Sequence, residues 1–140
     1  MKIFIDTNVW LDFLLERSPF YESAASILSL ADDGLISVGI SALTAANAHY
    51  VCCERAKMDI EVLVHKLSVL QDIVEILSLT SDDVRLAYTM RWNDFEDCLQ
   101  HNVAVRFAAD CIVTRNEKDF ALSSIAVYNP ETLLRRLSLR

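Results

Sequence analysis

The chain has 140 residues, of which 53% are hydrophobic, with only 2 Gly and 2 Pro, and its mean hydropathy is +0.26. That length is enough to bury one real core and predicts a single domain over residues 1–140, while the composition argues against disorder and no apolar run approaches the roughly 18 residues of a membrane span. A net charge of −7 and a pI near 4.8 argue against a broad basic surface for non-specific nucleic-acid binding, though not against a nucleic-acid enzyme whose acidic site is filled by metal ions.

In chain order, short β-branched runs predict strands at 2–5 "KIFI", 36–40 "ISVGI", 73–77 "IVEIL", 110–114 "DCIVT" and 125–128 "IAVY". Between them lie segments of helical spacing. A short helix over Val9–Glu16 follows the first strand. The next, Phe20–Asp33, has Pro19 at its first turn and Gly34 past its end. Ala42–Arg55 and Ile60–Leu70 form a helical pair. "TSDDV" at 80–84 is a helix start, with Ser81 as the cap and acids in the first turn. That helix runs to about Arg91, another spans Phe95–Phe107, and Asn129–Leu137 is opened by Pro130. Strands separated by helical crossovers imply a mostly parallel sheet of about five strands covered on both faces. The first residues hold no basic segment followed by an apolar stretch, so no secretory leader is expected. Cys52, Cys53, Cys98 and Cys111 make no C-x-x-C pair, which argues against zinc; they are expected as reduced, mostly buried thiols of a cytoplasmic protein.

Parallel sheets bind ligands at the carboxyl ends of their strands, and those ends are polar here. Asp6, Thr7 and Asn8 follow the first strand. Ser41 and Thr44, then Asn47, follow the second, and Thr114, Arg115, Asn116 and Asp119 follow the fourth. The helix before the fourth strand opens with Asp94, Glu96 and Asp97 and carries His101. Positions 94, 97 and 101 share one helical face, so Asp94 and Asp97 can approach Asp6 across one cleft. Carboxylates so gathered repel unless they are protonated or hold cations. Oxygen ligands without histidine or thiolate favour Mg²⁺ or Mn²⁺, and the matching chemistry is phosphodiester hydrolysis by metal-activated water. The plainer reading of Asp94 is a cap for the helix beginning at Phe95, and Asp6 could likewise cap the helix near Val9.

Two stretches together resemble the PIN-domain ribonucleases: "IFIDTNVWLDFLLER" at 3–17 and "FEDCLQHNVAVRFAADCIVTRNEKDF" at 95–120, with "ISAL" at 40–43 between them. The resemblance implies an α/β/α sandwich around a central, mostly parallel sheet, Mg²⁺- or Mn²⁺-dependent cleavage of RNA, and often a homodimer. Many small members are VapC-type toxins silenced by an antitoxin protein. Asp6 matches the family's first metal-binding carboxylate, Asn8 its supporting residue, and Asp97 the helical aspartate. Thr114 and Asn116 stand in the Thr-Arg-(Asp/Asn) turn, and Asp119 is the "DF" aspartate. Asp94 is an extra acid one turn before Asp97. One departure is plain: many members carry a glutamate in the helix after the second strand, where this chain has Asn47, and Glu54 lies two turns too far along. Asp6 and Asp97 are therefore expected to bind a single Mg²⁺, with Asp94 and Asp119 completing the negative pocket.

Two other functions stand beside the metal-dependent ribonuclease. One is a catalytically weakened or inactive PIN-like module acting through protein interaction, which the missing glutamate and acidic surface allow. The other is phosphoryl transfer on a small molecule, ranked last because Asn8 occupies the place of a second aspartate. His49 and His65 read as surface or partly buried structural residues. His101 could orient a carboxylate or contact RNA, though a structural role is commoner for a lone helical histidine. Trp10, Phe13, Leu14, Ile27, Leu28 and Leu30 read as core or dimer contacts, and Trp92 as a packed residue with a lesser chance of stacking on RNA. "LLRRLSLR" at 133–140 is the one basic cluster, most simply a solvated helix end.

Overall fold

The computed structural model describes residues 1–138. Five parallel strands, β1 (Lys2–Ile5), β2 (Ser37–Ser41), β3 (Val74–Leu77), β4 (Cys111–Val113) and β5 (Ala126–Tyr128), lie in the order β3-β2-β1-β4-β5. The connecting helices are α1 (Thr7–Leu14), α2 (Tyr21–Asp32), α3 (Ala42–Tyr50), α4 (Ile60–Leu70), α5 (Ser81–Met90), α6 (Phe95–Arg106) and α7 (Pro130–Ser138). A π-helical turn over Val51–Arg55 prolongs α3, and a 3₁₀ turn over Glu117–Phe120 follows β4. The parallel α/β/α sandwich expected from the alternation of strand and helix patterns is the observed one.

Side chains alternate across the sheet as a period of two requires. Ile3, Ile5, Val38, Ile40, Cys111 and Val113 face one core, which α1, α2, α3, α4 and α7 cover. Phe4 and Ile112 face the other, against Val103 and Ala104 of α6, and α5 packs outside α6 through Ala87, Cys98 and Leu99. Both faces of the central strands are thus dry, so β1 and β4 read as unbroken apolar runs.

Several boundaries differ from the sequence expectation. The first helix begins at Thr7 rather than Val9, because Asp6 is its N-cap, and it ends at Leu14 rather than Glu16, whose φ is +51°. Pro19 precedes α2 instead of standing in its first turn, which opens at Tyr21 without a side-chain cap. Thr80, not Ser81, caps α5: its hydroxyl accepts from the Asp83 N–H at 3.1 Å while the Asp83 carboxylate accepts from the Thr80 N–H at 2.8 Å. The reciprocal pair satisfies two backbone donors where Ser81 could satisfy one. Gly34 does stop α2, with φ of +74° that favours glycine. Leu139 and Arg140, the end of the basic cluster, lie outside the described residues; Arg135 and Arg136 are exposed on α7.

Gly39 fixes how closely α6 lies on the sheet. A Cβ there would stand 2.9 Å from the tip of Leu77 and 3.0 Å from the ring of Phe107, the residue that ends α6. Gly39→Val is expected to push that ring outward and lower stability by about 1–3 kcal/mol, read as a lower urea midpoint.

Candidate active site

The strand order reverses its direction of growth at β1, since β2 and β3 lie on one side and β4 and β5 on the other. The carboxyl ends of β1 and β4 therefore open the crevice expected of such a sheet, and Asp6 and Thr114 stand at those ends. Asp6 is only 6% exposed. Its Oδ1 accepts from the Thr7 N–H at 2.8 Å and its Oδ2 from the Thr114 hydroxyl at 2.9 Å. Thr114 in turn accepts from the Asn116 N–H at 3.1 Å, so the turn after β4 is tied through one hydroxyl to the Asp6 carboxylate. Asp6 also closes the first turn of α1, its carbonyl accepting from the Val9 and Trp10 N–H groups. The cap role weighed for Asp6 is the observed one.

Asp97 enters from α6. Asp94 caps that helix, its Oδ1 accepting from the Asp97 N–H at 2.9 Å, so the plainer reading of Asp94 holds. The cap nonetheless sits beside Asp97 and repels it. Burial, then Asp6, Asp94, Asp119 and Glu96, push the Asp97 carboxyl up to about 7. Burial also raises the Asp6 carboxyl, against the bonds from Thr114 and Thr7, and Glu96 and Asp119 add to the rise. Asp6, Asp94 and Asp119 thus lie near enough to Asp97 for their charges to act on it. A cleft of about 140 Å³ is lined by Asp94 and Asp119 with Trp92, Asn93, Lys118 and Leu122.

Two buried arrangements fix these elements. Gln100, one turn after Asp97 and 1% exposed, donates from Nε2 to the Thr7 and Thr44 hydroxyls at 2.9 and 2.7 Å. Its Oε1 accepts from the Ser41 hydroxyl at 2.5 Å. One amide therefore joins α1, the end of β2, α3 and α6. Asp12, 1% exposed, receives the Arg115 guanidinium at 2.7 and 3.1 Å, and that guanidinium lies 4.0 Å over the Phe20 ring. Arg115 is spent on anchoring its turn to α1. Neither Gln100 nor Asp12 is evident as a site-forming residue in the sequence, although position 100 lies close to the Asp97 face and opposite strand-end hydroxyls.

Asn8 is half-buried in the first turn of α1. Asn47 lies on α3 and donates to Glu96 Oε1 at 2.9 Å. Asn116 reaches the site through its backbone N–H. The suggestion that His101 might orient a carboxylate or touch RNA is corrected: it is 4% exposed, with Nε2 accepting from the Ser124 N–H at 3.1 Å and its ring 4.9 Å from that of Trp92. Burial, opposed by Asn102, lowers its pKa, and it sits a turn deeper in the fold than Asp97. Trp92 packs between His101 and Phe120. His49 and His65 are exposed, and the four cysteines are unpaired.

The PIN-domain family model matches residues 2–118. The chain belongs to the PIN-domain family. Its fold resembles that of VapBC2 from Rickettsia felis, solved bound to a promoter DNA fragment (21% identity, 92% of this chain and 98% of that one, TM-score 0.66). It also resembles FitAcB from Neisseria gonorrhoeae (20% identity, 92% and 98%, TM-score 0.67). A third similar structure is VapC20 from Mycobacterium tuberculosis, described as a Sarcin-Ricin loop cleaving toxin (17% identity, 79% and 86%, TM-score 0.60). No curated protein matches the sequence.

The PIN-domain donor set fits a hard divalent cation. It is all oxygen and acidic: burial, with Glu96 and Asp119, pushes the Asp6 carboxyl toward protonation, and burial, with Asp6, Asp94, Asp119 and Glu96, does the same to Asp97. Among the described residues, no three His, Cys, Asp or Glu side chains already close on a single point.

The strain has a sign. Asp97 titrates near 7 in the fold and near its ordinary 3.8 when unfolded, so between these values the folded chain holds a proton that the unfolded chain has lost. Metal-free stability must then fall as pH rises from about 4 to 7 and level off above; Asp6 acts in the same sense. Asp83 acts oppositely: burial disfavours its charge, but Arg106 and Thr80 outweigh this and lower its pKa, so its contribution is lost only in acid. Thermal melts in chelator should show a falling transition temperature from pH 5 to 7, and Asp97→Asn should flatten that slope.

Proposed function

We propose that this PIN domain is a metal-dependent endoribonuclease, the toxin half of a toxin–antitoxin pair, acting in the cytoplasm. The observation that carries the reading is the placement of Asp6 at the carboxyl end of β1 and of Asp97 in the first turn of α6, close enough that burial and Asp6 both raise the Asp97 carboxyl, while burial raises that of Asp6. Asp6 and Asp97 hold Mg²⁺ or Mn²⁺, and Asp94 and Asp119 complete the negative pocket. When bound, the cation polarises the phosphodiester and activates the attacking water. Thr114 and the Thr7 N–H keep the Asp6 oxygens in place. Asn8 and Asn116 position waters at the two strand ends, and Asn47 holds a carboxylate at the rim.

The substrate class follows from the charge. An acidic surface with net charge −7 offers little to a continuous duplex backbone. Asp6 and Asp97 would hold the positive charge that a scissile phosphate needs there, and single-stranded loops give RNA the access that a small cleft requires. Toxin–antitoxin complexes among the structures of like fold support an antitoxin partner, and self-association as a homodimer follows from the same family resemblance. Four unpaired cysteines suit a reducing compartment.

The test is cleavage of a single-stranded RNA panel with Mg²⁺ or Mn²⁺, with and without chelator. Cleavage that stops on chelation, and stops in Asp6→Asn while circular dichroism is unchanged, is the expected result. Metal-independent cleavage at full rate in Asp6→Asn would overturn the mechanism. If the wild-type chain binds no Mn²⁺ at millimolar concentration, the domain is an interaction module instead.

A further inference from the structure

A cleft of about 380 Å³ opens between the turn that joins α1 to α2 and the start of α7. That size is within the range of small-ligand sites, roughly 300–1,000 Å³, and exceeds the 140 Å³ lined by Asp94 and Asp119. Pro19, Phe20 and Pro130 give it an apolar lining, and Ser23, Arg115 and Glu131 give it polar groups. It lies at the same end of the sheet as Asp6. Arg115 directly follows Thr114, whose hydroxyl donates to Asp6. Asn129, also in the lining, directly follows β5, whose last carbonyl accepts from the Thr114 N–H at 3.0 Å.

Phe20 is 41% exposed, and a lone exposed phenylalanine is ordinary. This one carries an arginine that is itself fixed. The Arg115 guanidinium carbon stands 4.0 Å over the centre of the ring, while Nε and Nη2 donate to the buried Asp12 carboxylate. Two contacts to one carboxylate set the plane of the guanidinium, so ring and guanidinium form a stack that exists before any ligand arrives. The Arg115 side chain keeps 27% of its surface open, and its Nη1 has no hydrogen-bond partner among the described residues.

Charge separates this cleft from the acidic one. Asp12 takes two guanidiniums, Arg115 at 2.7 Å and Arg17 at 3.6 Å, which leaves one positive charge over. Among the residues that line the cleft, Glu131 offsets it. A phosphate backbone is therefore not strongly repelled here, in a chain of net charge −7, but neither does charge alone attract it. What the cleft offers is a flat, fixed face. Unstacked bases of single-stranded RNA lie on aromatic rings and on arginine planes of this kind.

We propose that this cleft is a base-stacking subsite, in which the Phe20–Arg115 stack takes one unpaired nucleobase of the RNA strand beside the nucleotide whose phosphate lies at Asp6 and Asp97. This rests on the ribonuclease reading above and adds to it a place for the strand outside the acidic pocket. Phe20 and Arg115 bind the strand and take no part in the bond that is cut.

Short single-stranded RNAs, each carrying one 2-aminopurine, test this when titrated in chelator onto the Asp6→Asn chain, which leaves the strand intact. The fluorescence of that base should fall as it stacks. Phe20→Ala in the same chain should weaken binding by roughly fivefold or more and abolish the fall, whereas Phe20→Trp should retain both. Because the ring is exposed, the melting temperature of Phe20→Ala should stay close to that of its parent. With Asp6 restored and Mg²⁺ present, Phe20→Ala should raise KM more than it lowers kcat. Equal affinity with and without the ring, or no RNA binding by the parent, would overturn the proposal. So would a dimer of the parent that Phe20→Ala splits, since a second copy would then fill the cleft. The two readings fail separately. Metal-dependent cleavage indifferent to Phe20 leaves the acids in place and removes the subsite, whereas ring-dependent binding in a wild-type chain that never cleaves sustains the subsite and removes the nuclease.

Discussion

The fold turns on a carboxylate set in a place that disfavours its charge. Asp6 ends a strand buried on both faces, at the point where the sheet changes its direction of growth, and is only 6% exposed. Two hydrogen bonds, from Thr114 and Thr7, satisfy its oxygens without supplying a positive charge. The nearest strongly felt charges are acids. A structure that keeps several carboxyls so close carries a standing electrostatic cost, and the chain meets it with rigidity rather than with a cation of its own: Arg115, the basic residue nearest in sequence to Thr114, is directed to Asp12 instead.

That rigidity comes from polar groups buried in α6. The middle of this helix is enclosed on all sides from Cys98 to Ala104, although it contains Gln100, His101 and Asn102. Each finds a partner: Gln100 the three hydroxyls of Thr7, Ser41 and Thr44, His101 the Ser124 backbone, and Asn102 the Asp83 carbonyl. Buried polar groups without partners would cost about 1–3 kcal/mol each, so the network specifies one docking of α6 on the sheet. Asp97 is carried to Asp6 by that docking. The close approach that Gly39 allows to Phe107 at the other end of the helix works to the same end.

The frame is legible in the sequence because its signals are local. β-Branched runs mark strands that are dry on both faces, and "TSDDV" marks a helix start within one residue of its cap. Asp6 and Asp97 stand out because a strand end and a helix turn place them by simple periodicity. The parts that escape are those fixed by tertiary contact. Gln100 and Asn102 carry no sequence signal of burial, and only the packing of α6 between the sheet side and α5 makes them interior. His101 shares the face of Asp97 by spacing, yet Trp92 and Ser124 enclose it. Asn47 reads as a deficit of charge, since its partner Glu96 is 49 residues away. Asp12 looks like one more helix acid until Arg115 reaches it from the turn after β4.

The central claim is that Asp97 is held near its neutral form by burial and by the surrounding acids until a cation relieves it. Nuclear magnetic resonance titration of the carboxyl carbons in ¹³C-aspartate-labelled protein, with and without Mg²⁺, reads this directly. Without metal, one aspartate, absent from the Asp97→Asn spectrum, should titrate near pH 7, and saturating Mg²⁺ should move that titration well into the acid range. An Asp97 signal that titrates near the ordinary 3.8 without metal, or is indifferent to Mg²⁺, would contradict the account.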